Sequence, residues 1–282
     1  MNIQSIKQRA NNVLMVNKIQ YTRVLTIVLI LSCIPSLFNY NFVVFTIIYY
    51  ALTILLLPVS HGVIVASLKM VRNNAHLVND DDGLVCIKRF KDLFPTYFIF
   101  NLIEYLIIFL VGLVLGLVFG LFFNNAMSTL LTLVMYSTST TEIVNQIIAS
   151  PSTAYMLVLF LLVVIVVSFI IDAYFMAVPY LLEQYDIRGM KAVKTSYNMM
   201  KGHVLDYIKL YFSFFGWMVL FGVIETLIGN FISAAVVVSI IVGLGKIFTY
   251  LPLYYISRTV MFEEIAFYYF GEGETVNEGY DY

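Results

Sequence analysis

Long apolar runs alternate along this chain with short segments that hold nearly all of its charge. Six runs approach or exceed the roughly 20 residues that cross a hydrocarbon layer about 30 Å thick as helix. They lie near 24–38, 42–68, 98–123, 155–182, 207–228 and 232–257. The first is short and meets Pro35, while several others are longer than a span needs, which predicts tilts, kinks or interfacial ends. The expected fold is all-α: a polytopic membrane helix bundle of about six transmembrane helices in three hairpins, with basic interfacial helices.

Charge sets the orientation. Lys7, Arg9, Lys18 and Arg23 precede the first run, Lys69, Arg72, Lys88, Arg89 and Lys91 separate the second from the third, and Arg188, Lys191, Lys194, Lys201 and Lys209 lie around the entry to the fifth. Arg258 follows the sixth, and Lys246 alone lies inside a run away from this set. The alternate loops, 39–41, 124–153 and the turn near Asn230, hold no Lys or Arg. Cytoplasmic loops carry the excess of Lys and Arg, so both termini are expected inside, in a multi-pass membrane protein. The expected organisation is a single integral-membrane domain over 1–282: a cytoplasmic interfacial segment at 1–23, a six-span bundle at 24–262 and an acidic cytoplasmic tail at 263–282. The polar first twenty residues lack the short apolar region of a cleavable signal, so the first run is expected to stay as an anchor.

Composition agrees. The chain is 61% hydrophobic and 12% charged, about half the charged fraction of an ordinary soluble domain. A net charge of −1 points away from nucleic acid. The lipid bilayer is the expected partner, with anionic lipid at the basic cytoplasmic face. Cys33 lies in an apolar run and Cys86 in a basic loop, so free thiols are expected.

A weak repeat accompanies the hairpins. Each is preceded by a basic, partly apolar segment, and each second run has a proline toward its cytoplasmic end, at Pro58, Pro179 and Pro252. Three copies of an interfacial helix and a hairpin would give this pattern, and so would any six-helix protein with inside termini. The segment 189–205 is the best interfacial candidate: Met190, Val193, Tyr197, Met200 and Val204 recur at helical spacing among Lys191, Lys194 and Lys201.

Candidate chemistry is sparse. His61, His76 and His203 form no metal-binding spacing, and no Walker A, GxSxG or dinucleotide pattern occurs. No cofactor is expected. His61, after Pro58, reads first as a packed polar residue of a kinked helix. Asp80–Asp82 reads first as a solvated charge run rather than a metal site. Gly112, Gly116 and Gly120 recur every fourth residue and line one helix face, where small residues let another helix approach closely. Glu104, Asp172, Glu225 and Lys246 are the intramembrane charges. Each costs at least about 2.5 kcal/mol facing lipid at mid-membrane, so each should face inward, pair or protonate. Depth counted from the run ends favours Asp172 as the partner of Lys246, then Glu104, and places Glu225 nearer the outer side. The pair reads first as structural and alternatively as part of a polar path.

The stretch 192–220 carries Ser196, Met200-Lys201-Gly202 and Ser213-Phe214-Phe215-Gly216-Trp217. It resembles an uncharacterised integral-membrane family of Gram-positive bacteria, domain of unknown function 975, whose members show a serine, Met-Lys-Gly and a Ser-Phe-x-Gly-Trp run entering a span. The resemblance implies an architecture and brings no reaction with it.

Three classes of function remain. A non-catalytic accessory, assembly or self-protection module would act through helix packing and membrane-surface contacts. A transporter or permease subunit for a lipid, peptide or small solute would use the buried charges and could meet a membrane-protein or ATPase partner. An intramembrane enzyme would need a convergent pair of groups, and Asp172 alone is a plausible intramembrane aspartate, so this class ranks last.

Overall fold

The computed structural model describes residues 1–38, 42–122, 128, 150–232 and 234–271. The loops at 39–41 and most of 124–153, and the tail beyond 271, lie outside the described residues. The described residues are mostly helical, with no strand among them. They form two compact units, one of Met1–Phe100 with Ala173 onward and one of Asn101–Asp172.

Helix α1 (Ile3–Val16) starts where the Asn2 side chain accepts from Gln4 N at 3.0 Å. Its apolar positions Ile6, Ala10 and Leu14 recur every fourth residue and are all buried. Asn17, with φ −148°, ends α1 and begins α2 (Lys18–Cys33). Helix α3 (Val43–Leu55) buries none of its residues, whereas α4 (His61–Val71) is buried on nearly every side. Between them the chain bends by 42° at a 3-10 turn that contains Pro58. Proline has no N–H to donate and its ring clashes with the preceding turn, so a break is expected there.

Each second span of a hairpin breaks at its proline. Helix α7 (Pro151–Phe175) gives way to α8 (Val178–Tyr185), which holds Pro179 near its start. Helix α12 (Ala235–Thr249) turns by 60° into α13 (Leu251–Phe270), with Pro252 near its start. Span five breaks without proline, between α10 (Val204–Phe212) and α11 (Phe215–Phe231), by 52°. The third apolar run is continuous in α6 (Phe90–Phe122), after the short α5 (Val85–Lys88). Among the described residues, three helices are long and apolar enough to cross a membrane, or up to six if each bent pair is one span.

The bend at Tyr250 changes the expected sixth span. The apolar run was expected to continue to 257, but α13 turns into the core and continues to Phe270, past the expected start of the tail at 263. It lies along α1 and α4. Phe262 stacks on Tyr180 with ring centroids 4.6 Å apart, and Ile256, Val260 and Met261 are fully buried. Glu263 and Glu264 are then helix residues, facing Arg72 at 2.8 Å and Arg9 at 3.8 Å.

Helix α9 (Gly189–Met200) is shorter than the expected segment, ending before Gly202, whose φ is +98°. Its expected apolar stripe divides. Val193 and Met200 are buried with Ala192, Ser196 and Met199, whereas Met190 and Tyr197 are exposed beside Lys191 and Lys194. The packed side of α9 thus faces protein, not lipid.

In the smaller unit, Phe119 meets Phe160 edge-on at 6.0 Å, beside Met156 and Leu115. A Cβ built on Gly112, Gly116 or Gly120 would meet nothing within 4 Å among the described residues. The stripe packs against none of them. Close approach occurs instead at Gly62, Gly83, Gly243 and Gly245, in the larger unit.

Candidate functional site

The motif residues sit where helices break. Ser196 Oγ donates to the Tyr174 carbonyl at 2.8 Å, next to the α7–α8 break. Tyr174 lies in the last turn of its helix, where carbonyls lack helical partners, so a side-chain donor there satisfies one of them. Ser213 Oγ donates to the Leu210 carbonyl at 2.6 Å, closing α10. The Ser213 carbonyl accepts from Lys7 Nζ at 3.5 Å, and that ammonium lies 4.3 Å from the centre of the Phe214 ring. Trp217 lies nearly parallel to Tyr250, 11° apart at 6.3 Å. Met200 is buried, Lys201 is exposed, and nothing stands within 4 Å of a Cβ at Gly216. The motif therefore joins α1, the span-five break and the span-six break.

Next to this joint is a crevice of about 240 Å³ between α2 and α12, reached by α4, α11 and α13. Leu25, Val28, Val63, Val242 and Ile247 form its apolar wall. Glu225 and Lys246 supply its charge. Lys246 Nζ lies 3.4 Å from Glu225 Oε2, and the two side chains are 30% and 46% exposed. Gly243 shapes the groove: a Cβ there would fall 2.6 Å from Leu29 Cδ1, so only glycine admits that leucine without a shift.

This geometry corrects the expected pairing. Lys246 meets Glu225, whereas Asp172 and Glu104, the expected partners, belong to the smaller unit. Backbone depth misled. Helical side chains lean toward the helix N-terminus. On α12 this carries the lysine stem along its hairpin toward the level of Glu225. A double-mutant cycle on thermal stability in one detergent should give about 0.5–3 kcal/mol of coupling for Lys246→Met with Glu225→Gln, the range for residues in contact. Lys246→Met with Asp172→Asn should be additive within about 0.3 kcal/mol. Coupling to Asp172 instead would reject the observed pair.

The family model described as "Protein of unknown function (DUF975)" matches residues 1–270. The chain belongs to this family. No curated protein and no solved structure matches it.

For this DUF975 chain the match takes in a second polar cluster as well as the crevice. His61 is fully buried at the start of α4. Its Nε2 lies 2.9 Å from Glu183 Oε2, and its Nδ1 lies 3.0 Å from the Tyr97 hydroxyl. Nε2 faces a carboxylate and so carries the ring proton, which leaves Nδ1 to accept from Tyr97. Arg89 Nη1 donates to both Glu183 oxygens, at 3.1 and 2.9 Å. The reading of His61 as a packed polar residue agrees with this. Tyr97, Glu183 and Arg89 were missed, because Glu183 lies at the end of an apolar run and Arg89 was counted with the basic loop.

The Asp80–Asp82 run is paired rather than simply solvated. Asp82 is buried and accepts from Lys69 Nζ at 2.7 Å, and it exchanges capping contacts with Asn79, both at 3.2 Å. Asp81 meets Lys88 at 2.9 Å, and Asp80 accepts from Gln20 at 2.9 Å. Among the described residues, no group of three or more His, Cys, Asp or Glu is placed to hold a metal. Cys33 and Cys86 are free and buried, and burial pushes the Cys86 thiol above its ordinary range.

Proposed function

We propose that this chain is a non-catalytic, multi-pass module of the bacterial cell membrane, with both termini cytoplasmic. Its role is that of an accessory, assembly or self-protection protein, exercised through helix packing and membrane-surface contacts. The two faces of α9 carry this reading. Its buried side is fastened to the protein by Ser196, Met199 and Met200, and its exposed side presents Lys191 and Lys194 beside Met190 and Tyr197. Such a face, continued by Lys201, suits anionic lipid or an acidic surface on a membrane partner.

Two measurements test it. In intact cells, Ser139→Cys should react with an impermeant thiol reagent from outside, and Asn74→Cys only after permeabilisation; the reverse would reject the orientation. In nanodiscs, an environment-sensitive fluorophore on Met190→Cys should shift to the blue when anionic lipid is added, and lose that shift in Lys191→Gln/Lys194→Gln/Lys201→Gln. A water-like spectrum in both lipids would reject the surface contact. The crevice favours a second reading, a transporter or permease subunit with an ATPase partner at the basic face, because its ion pair lies inside candidate spans.

A further inference from the structure

We propose that the crevice between α2 and α12 binds one phospholipid with a zwitterionic headgroup bearing a primary ammonium. The lipid comes from the leaflet on the side of the basic segments. The phosphate accepts from Lys246, the ammonium donates to Glu225, and one acyl chain lies along the groove floored by Gly243. The proposal rests on the membrane placement above, and on neither the accessory nor the transport role.

Depth is the first argument. Arg23 is exposed, and its guanidinium faces Asp80 of the following polar segment at 3.9 Å. Leu25 and Ser32, the wall residues of α2 nearest to and furthest from Arg23, lie about 3 and 14 Å further along the helix at 1.5 Å per residue. The groove therefore has the depth of a single leaflet in a hydrocarbon layer about 30 Å thick. Contact between Leu29 and Gly243 sets the level of Gly243 about 9 Å from Arg23, and the Lys246 ammonium, leaning back from one turn further toward α13, lies near that level, within the same leaflet.

Shape is the second argument. A cavity of about 240 Å³ exceeds the ~150 Å³ apolar cavity that takes up a benzene. It is too small for a whole lipid and large enough for a stretch of one chain. Its flanks, Ile30, Ile241 and Phe248, are exposed and apolar, so the surrounding medium is acyl chain.

Charge is the third. Among the described residues, the Lys246 ammonium makes one hydrogen bond, to Glu225 Oε2, so two of its three donors are left for another acceptor. Glu225 likewise keeps acceptor capacity, and it is 46% exposed. A wholly anionic headgroup would satisfy the lysine and be repelled by the glutamate. A quaternary ammonium would offer the glutamate no N–H. A primary ammonium beside a phosphate complements both.

The test uses the purified full chain in detergent, with dioleoyl phosphatidylethanolamine, phosphatidylcholine and phosphatidylglycerol added in turn and bound lipid counted by native mass spectrometry. Phosphatidylethanolamine should bind about tenfold more tightly than either competitor, the difference one charge-assisted hydrogen bond makes. Glu225→Gln should abolish its preference over phosphatidylglycerol, and Ser239→Leu, which adds bulk to the wall without touching the ion pair, should lower binding of all three. Equal or tighter phosphatidylglycerol binding to the unaltered protein would overturn the proposal. So would no bound lipid, or a preference that survives both substitutions in variants that stay monodisperse and helical. The unaltered protein's ranking decides the matter even if a variant misfolds. Failure of this ranking leaves the cysteine-labelling result intact, so the two readings fail separately.

Discussion

Glu183→Ala should cost about 3–5 kcal/mol, because it removes the carboxylate that holds a buried histidine and an arginine together. Glu183 is 8% exposed and receives both His61 and Arg89. Without it, the Nε2 proton of the fully buried His61 loses its acceptor. The Arg89 guanidinium loses both of its hydrogen bonds to that carboxylate at the edge of the same site. Arg89→Ala should cost less, since that side chain is 27% exposed and water can replace part of its role. His61→Ala should fall between them, leaving a void and removing one hydrogen-bond partner of the Tyr97 hydroxyl. Thermal unfolding of the three variants in one detergent gives the order. A Glu183→Ala protein as stable as the parent would show that these contacts contribute nothing to holding spans two, three and four together.

Gly62→Ala should be the most damaging of the glycine substitutions. The new Cβ would collide with the backbone carbonyl of Asp82 and fall 3.1 Å from Gly83 Cα. Backbone cannot swing aside as a side-chain tip can, so the segment 79–84 would have to move from α4. That movement would also open the Lys69–Asp82 pair at 2.7 Å, whose carboxylate is buried. Overpacking alone costs about 1–3 kcal/mol, and the lost pair adds to it. Gly116→Ala is the control. Nothing lies within 4 Å of its Cβ among the described residues, and in a helix interior alanine is favoured over glycine by about 1 kcal/mol. The expected result is a large fall in thermal stability for Gly62→Ala and none for Gly116→Ala. Equal falls would mean that the stripe packs against a partner in the intact protein.

These glycines show how far pattern reaches. Gly112, Gly116 and Gly120 attract notice because they share a helix face, which is a property of spacing along one element. Gly62 follows His61 near a proline and belongs to no periodic set. Its constraint comes from Asp82, twenty residues away, brought to it by the fold of the loop 79–84. The same distinction holds for charge. That Lys246 required a partner was legible, because a lysine within an apolar run must pair, reach water or lose its proton. Which carboxylate it meets depended on the lean of the side chain and the pairing of α11 with α12.

The sequence by itself determined the helical class, the apolar runs, the side on which basic residues gather and the breaks near Pro58, Pro179 and Pro252, because each follows from local composition or from proline's missing donor. Its motif from Ser196 to Trp217 was sufficient to identify the DUF975 family. Tertiary structure alone decided that α13 turns into the core, that α9 buries half of its expected lipid face, and that His61, Tyr97, Arg89 and Glu183 meet. Those contacts join residues far apart in the chain, and burial is a property of what surrounds a side chain. An apolar residue has the same sequence signature whether lipid or protein covers it, so only the packed structure separates the two.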